Sequence, residues 1–183
     1  MECNIATFKD ALPLLSVIVG GVLTFLGGVV GTYLLEKRKS KNERRNLTLA
    51  FYGEIHAIDS IVRKRRYIDD LKQIIERLKK DRQFCVLNIP VQREYFRVYN
   101  ENVRNIGILD SILARQIAQF YTQANSVLED LREMRGTNPA TREIDGLISW
   151  HQNLLELFED TLRLFHSILE RIAADYNIKK DYE

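Results

Sequence analysis

Apolar positions change their pattern once along this chain, near residue 36. Residues 11–35 read ALPLLSVIVGGVLTFLGGVVGTYLL, a run of 25 positions without a charged side chain. As a helix, this run would be about 37 Å long, against a bilayer hydrocarbon core of about 30 Å. A helix in a soluble core is rarely apolar on all sides for this length, so the pattern predicts a transmembrane helix over residues 11–35.

The charges beside this run predict its orientation. Lys9 and Asp10 precede it, and six basic residues follow it: Lys37, Arg38, Lys39, Lys41, Arg44 and Arg45. Because basic segments stay in the cytoplasm, we expect a single-pass membrane protein with its N-terminus outside and its C-terminal side in the cytoplasm. The run is too long, and its basic residues lie on the wrong side, for a cleaved signal peptide. The predicted division is a periplasmic tail (1–10), the span (11–35) and a cytoplasmic domain (36–183).

Small residues recur at every fourth position of the predicted span. They form what we call the small-residue ridge: Ser16, Gly20, Thr24, Gly28 and Thr32, with a GxxxG of Gly27 and Gly31 beside it. Small side chains on one face let helices approach closely in lipid. Glycine is common in membrane helices in any case, but the strict register favours a homo-oligomer. A ring of copies would line a pore with the hydroxyls of Ser16, Thr24 and Thr32, and the same ridge would also serve a dimer.

After the run, apolar residues recur in steps of three and four, which is the helical period. A first helix is predicted over 42–82, with Leu47, Phe51, Ile55, Ile58, Val62, Ile61, Ile68, Leu71, Ile75 and Leu78 on its apolar face. A short second helix covers about 91–103. No stretch has a strand pattern.

The clearest pattern begins at Asp110 or Ser111. The third helix carries Leu113, Ile117, Phe120, Ala124, Val127, Leu131 and Met134. The fourth, over 139–176, carries Ile144, Ile148, His151, Leu155, Phe158, Leu162, Phe165, Leu169 and Ile172. The short loop between them predicts antiparallel neighbours. The prediction is an all-α fold, with a four-helix cytoplasmic bundle that has one short member.

Composition changes this picture little. The 183 residues have room for an anchor and one domain, and the net charge is only +2. Basic groups nevertheless cluster at 37–45, 63–66 and 77–82, which suits anionic lipid headgroups, an RNA backbone or simply a solvated helix face. Cys3 and Cys85 are expected on opposite sides of the membrane, and no metal or cofactor motif is present.

Histidine supplies the only candidate catalytic chemistry. Arg163 and His166 lie three residues apart and could cleave RNA without a metal, with histidine as the acid or base and arginine at the phosphate. Helical ion pairs with Glu159 and Glu170 explain the same residues. His151 falls within the apolar stripe of the fourth helix, where histidine is usually a neutral packing residue.

The layout of one N-terminal span, a helical domain and an arginine–histidine pair resembles a known family. It is similar to the small membrane accessory proteins encoded beside the RNA-guided RNase of type VI-B CRISPR systems. The resemblance implies a divergent HEPN domain, which is a four-helix fold common in RNases and toxins. It also implies a ring-like membrane pore that strengthens antiphage defence.

The catalytic signature of HEPN domains is an arginine followed four to six residues later by a histidine. Arg163 to His166 is shorter than this, and Arg142 to His151 is longer. Arg104 is followed by Asn105 as in the signature, but Leu109 and Asp110 stand where the histidine belongs. The resemblance therefore implies a non-enzymatic effector that acts through assembly and the membrane. A membrane-tethered HEPN ribonuclease and a membrane scaffold for a cytoplasmic partner are the alternatives.

Overall fold

The computed structural model describes residues 6–85, 87, 95–136 and 143–178, and most of these residues are helical. Its elements are α1 (Ala6–Lys64), α2 (Tyr67–Asp81), α3 (Arg97–Asn102), a 3-10 helix (Val103–Ile108), α4 (Ser111–Gly136) and α5 (Ile144–Tyr176). No strand occurs in those residues, so the predicted all-α class is confirmed. The chain divides into two compact units, an N-terminal unit (residues 1–45) and a bundle (residues 46–183). The predicted boundary at residue 36 falls inside the first unit.

The N-terminal unit contains the predicted transmembrane segment. The side chains of residues 11–20, 22 and 23, on which that prediction mainly falls, lie outside the described residues. Where the structure does describe the chain, it contains no helix that is both long enough and apolar enough to span a membrane.

The core of the bundle has two halves, and α4 and α5 contribute to both. The first half joins α1 to these helices through Leu47, Phe51, Ile55, Ile117, Phe120, Phe165 and Ile168. The second half joins α2 to them through Leu71, Ile74, Leu78, Val127, Leu131, Leu147 and Leu154. The predicted helical bundle is therefore confirmed, with α1 covering one half of its core and α2 the other.

Polar contacts along α5 give the direction of α1 and α2. From one end to the other they are Tyr176 with Thr48 (3.5 Å), His166 with Arg63 (2.7 Å), Glu159 with Lys72 (2.8 Å) and Asp145 with Arg82 (2.5 Å). Residue numbers fall along α5 while they rise along α1 and α2. Both helices thus run antiparallel to α5, one after the other.

The prediction of one unbroken helix over 42–82 was wrong. The helix ends at Lys64 and restarts at Tyr67, with Arg66 in the left-handed region at φ 52°. Val62 and Leu71 are nine residues apart, which is two and a half turns and would place them on opposite faces of a straight helix. The break brings both apolar faces onto the core and leaves Arg65 and Arg66 exposed.

The short second helix differs from its prediction at both ends. Residues 91–94 lie outside the described residues, α3 begins at Arg97, and a 3-10 helix follows it through Ile108. Glu54 of α1 holds the start of α3, because its carboxylate accepts the backbone N–H groups of Val98 (2.6 Å) and Tyr99 (3.2 Å). The Tyr121 hydroxyl also donates to Glu54, and burial raises the pKa of Tyr121.

The predictions for α4 were accurate. All seven residues of its predicted stripe are buried. Asp110 caps the helix, since its Oδ1 accepts the N–H groups of Ile112 (3.1 Å) and Leu113 (3.2 Å). Arg171 also binds that oxygen, at 2.7 Å.

The predicted stripe of α5 was rotated from the true one. Its members Ile144, Ile148, Leu155 and Leu162 are only half-buried. The centre of the buried face instead passes through Leu147, His151, Leu154, Phe158, Thr161, Phe165, Ile168 and Ile172. The predicted start of this helix at 139 was wrong, because α5 begins at Ile144 and Glu143 before it has an extended backbone. The loop residues 137–142 lie outside the described residues.

Candidate functional site

The small-residue ridge is described from Thr24 onward, since the side chains of Ser16 and Gly20 lie outside the described residues. Thr24, Gly28 and Thr32 are exposed on α1, at spacings that place them on one side of the helix. The Thr32 hydroxyl donates to the carbonyl of Gly28 at 2.9 Å. This bond satisfies the hydroxyl within its own helix, which lowers the cost of placing it in an apolar environment.

The glycines of this segment are not required by contacts within the chain. A Cβ atom added at Gly27, Gly28 or Gly31 would meet no atom within 4 Å other than those of the adjoining turns of its own helix. Helical glycine costs roughly 1 kcal/mol relative to alanine, so three glycines in five positions destabilise an isolated helix. A close approach by another helix would explain why they are there.

Apolar side chains around these glycines are exposed on every side of the helix. Those at least half exposed are Phe25, Leu26, Val29, Val30, Tyr33, Leu34 and Leu35. Successive positions on a helix are 100° apart, so this set encircles α1 rather than forming one stripe. Full burial of a large apolar side chain contributes about 1.5–3 kcal/mol, and seven of them give a driving force on the order of 10 kcal/mol for lipid or protein cover.

The basic residues that follow this segment are all exposed. Lys37, Arg38, Lys39, Lys41, Arg44 and Arg45 occupy the two turns or so of α1 beyond Leu35. Lys39 makes a loose pair with Glu43 at 3.9 Å. Some basic residues of the clusters at 63–66 and 77–82 form ion pairs with acids of the bundle: Arg66 pairs with Asp69, and Arg82 pairs with Asp145.

His166 belongs to a charged cluster at the contact of α1 with α5. The Nη2 atom of Arg63 lies 2.7 Å from His166 Nε2, which must act as the acceptor because a guanidinium only donates. Arg63 Nε also binds Asp59 Oδ2 at 2.7 Å. Arg63 and His166 are about half exposed, whereas the Asp59 side chain is 5 % exposed.

Arg163 occupies a different position from the one its spacing indicated. Its guanidinium pairs with Asp160, one turn earlier on α5, and is largely exposed. Glu159, the acid expected to pair with it, instead binds Lys72 of α2 at 2.8 Å. The arginine in contact with His166 is therefore Arg63 of another helix.

His151 is completely buried in the bundle. Its Nδ1 atom lies 2.7 Å from the carbonyl oxygen of Leu147, and its buried Nε2 atom has no hydrogen-bond partner among the described residues. Burial lowers the pKa of His151, because the charged ring would lose its hydration. A substrate cannot reach this ring, which makes His151 a packing residue in this arrangement.

Sequence reasoning missed Asp59 and Glu54. Both are acids on the apolar side of α1, where Glu54 lies one turn after Phe51 and Asp59 lies one turn after Ile55. Glu54 accepts bonds from α3 and α4, whereas Asp59 pairs with Arg63 of its own helix. The available signal was an acid within a buried stripe, which requires a partner when it is desolvated. The i,i+4 spacing of Asp59 and Arg63 is itself a signal for that ion pair, whereas Tyr121 and the start of α3, the partners of Glu54, could not be identified from spacing.

In comparisons with known proteins, no protein-family model, no curated protein and no solved structure matches the chain.

Proposed function

We propose that the chain is a membrane-anchored effector that works by self-association. Residues 11–35 would cross the bacterial inner membrane once, with the N-terminus outside and the bundle in the cytoplasm. Copies would associate through the small-residue ridge into a ring that perforates or depolarises the membrane. The family resemblance adds a functional partner, an RNA-guided RNase system whose antiviral defence the protein would enhance.

The observation that carries this proposal is the exposure of apolar side chains around α1 between Phe25 and Leu35. A helix that is apolar on all sides needs cover on all sides, and lipid together with neighbouring copies provides it. The 25 uncharged residues of the sequence supply the length, and the exposed basic residues from Lys37 onward suit the anionic cytoplasmic leaflet. The ridge then supplies a face for contact between copies.

The decisive experiment measures dye leakage from liposomes that contain the purified full chain. We expect leakage from the natural protein and its loss in Gly28→Leu, because the added side chain would hold neighbouring helices apart. Open space beside Gly28 within the chain means that the substitution does not disturb its own fold. Val30→Leu is the matched control, since it enlarges an exposed apolar residue off the ridge and should preserve leakage.

The alternative outcomes separate the rival functions. Tight liposomes with both proteins would refute constitutive pore formation. Replacing residues 11–35 by polyleucine tests the scaffold alternative, which requires only an anchor. Activity in a cell-based defence assay that survives this exchange would favour a scaffold, whereas its loss would favour the ridge.

A second candidate is a membrane-tethered ribonuclease, and the contact between Arg63 and His166 is the observation that favours it. A half-exposed histidine beside a guanidinium provides a proton-transfer group and a cation for the phosphate. Arg163 is not needed in this arrangement. Incubating the protein with labelled single-stranded RNA tests it: cleavage that disappears in His166→Ala would support the enzyme, and leakage unchanged by that substitution would support the effector.

A further inference from the structure

The bundle contains a cavity that none of the proposed functions uses. It lies among α1, α4 and α5 near the end of α1, with a volume of about 90 Å³. Its wall consists almost entirely of apolar atoms, contributed by residues that include Val62, Phe120, Val127, Phe158 and Phe165. The cavity is partly open to solvent, so a small molecule can enter it, and an apolar molecule there would remove apolar surface from water.

One charged side chain contributes to this apolar wall. Asp59 lines the cavity, and its side chain is 5 % exposed. Arg63 satisfies Oδ2 at 2.7 Å, but Oδ1 is buried and has no hydrogen-bond partner in the part of the chain that the structure describes. His166 Nε2 stands 4.0 Å from Oδ1, beyond hydrogen-bond distance. A buried carboxylate oxygen without a donor is costly, and a donor inside the cavity would remove that cost.

Water alone fits this cavity poorly. An ordered water needs two to four polar partners, and the wall of this cavity is almost entirely apolar. The hydroxyl of Thr161, also in the wall, is already bonded to the carbonyl of Leu157 at 2.7 Å. A molecule that combines an apolar body with a single donor matches the wall and the oxygen together.

We propose that this cavity binds a small apolar alcohol or phenol whose hydroxyl donates to Asp59 Oδ1. Arg63 already balances the charge of the carboxylate, so a neutral hydroxyl fits better than a second cation. The apolar body would occupy the space against Phe120, Phe158 and Phe165. The inference concerns the bundle alone and does not depend on the proposed membrane function.

The test compares two probes of nearly equal shape, 4-fluorophenol and 4-fluorotoluene, by ¹⁹F NMR titration of the full chain in lipid nanodiscs. Empty nanodiscs provide the blank for partition into lipid. We expect saturable binding of 4-fluorophenol that is at least about tenfold tighter than that of 4-fluorotoluene, because only the phenol satisfies Oδ1. Equal affinities, or no saturable binding of the phenol, would overturn the proposal.

Variants then locate the site. Ala124 lines the cavity, so Ala124→Leu should fill it and abolish binding of both probes. Ala174→Leu makes the same change at an exposed position of α5 and should bind as the natural protein does. Asp59→Asn replaces a charged acceptor by a neutral one and should reduce the preference for the phenol severalfold. Unchanged binding in Ala124→Leu would place the probe elsewhere and refute the assignment.

Discussion

Two phenylalanines of the same helix mark the difference between the two units of this protein. Phe25 is 71 % exposed, whereas Phe51 is 0 % exposed and lies within the bundle core. In the bundle, α4 and α5 bury the apolar residues of α1, whereas the apolar side chains around Phe25 are exposed. The sequence separates the two in advance, because apolar residues are continuous around Phe25 and periodic around Phe51. Apolar residues that recur at the helical period indicate a helix that packs against another part of the same chain. An uninterrupted apolar run indicates a helix whose cover comes from outside the bundle.

The largest expected effect is the loss of a buried aromatic side chain. Phe51→Ala should destabilise the bundle by about 3–5 kcal/mol, because it removes contacts with Tyr99 and Tyr121 and leaves a cavity. Denaturant unfolding of the full chain in mild detergent measures it, followed by fluorescence of Trp150, the only tryptophan. Phe25→Ala is the matched control and should leave this transition unchanged. Equal losses of stability in Phe51→Ala and Phe25→Ala would contradict the conclusion that only the bundle buries its phenylalanine.

The polar contact of α1 with α3 should give the next largest effect. Glu54→Ala would strip the bonds from Val98, Tyr99 and Tyr121, and we expect a loss of about 2–4 kcal/mol. Glu54→Gln keeps one acceptor oxygen and should lose less. The same unfolding assay measures both variants, and a neutral Glu54→Ala would mean that α3 is not held by this carboxylate.

His151 should make the bundle sensitive to acid. Its pKa is lowered in the folded state from an ordinary 6.5, so the folded protein excludes a proton that the unfolded chain binds. Stability should therefore be fully present above pH 6.5 and fall below it, by at most about 1.4 kcal/mol per pH unit.

Replacing His151 isolates its effect on the pH dependence of the bundle's stability. His151→Leu removes both the titration and the buried Nε2 atom, so its stability should be the same or higher at pH 7.5 and should depend less on pH between 7.5 and 5.5. Unfolding curves at the two pH values measure the difference. An acid slope that persists in His151→Leu would contradict this assignment.

The smallest effect is expected at the bundle surface. Arg82 pairs with Asp145 at 2.5 Å, and both side chains are more than half exposed. Exposed pairs are screened by water and salt, so Arg82→Ala should leave the unfolding midpoint within experimental error of the natural protein. A clear loss that disappears in high salt would show that this pair contributes more than its exposure suggests.

The sequence predicted the parts of the fold that depend on local pattern. The α4 stripe from Leu113 to Met134 is buried throughout, because one clean helical period leaves one possible face. On α5, apolar residues also lie on both sides of the buried face. The prediction therefore chose the half-buried Leu155 and Leu162 in place of the buried Leu154 and Thr161. The break at Arg66 could have been inferred from the shift in apolar phase between Val62 and Leu71.

The charged cluster could not be predicted in the same way. Arg163 and His166 are neighbours in sequence, but the partner of His166 is Arg63, 103 positions earlier in the chain. Ion-pair partners across helices depend on register and rotamer, which local spacing does not specify. Asp59 was missed for a different reason: its partner Arg63 is one turn away on the same helix, but the burial of its carboxylate follows from packing of α1 against other helices.

The most direct test of the account uses the two natural cysteines. In intact spheroplasts that produce the full chain, a membrane-impermeant maleimide should label Cys3 and leave Cys85 unlabelled until the cells are lysed. Cys3→Ser and Cys85→Ser identify which residue reacts, and denaturation after lysis checks that half-buried Cys85 can react at all. This result would place residues 11–35 across the membrane with the bundle inside. Labelling of both cysteines from outside, or of neither before lysis, would contradict the central claim.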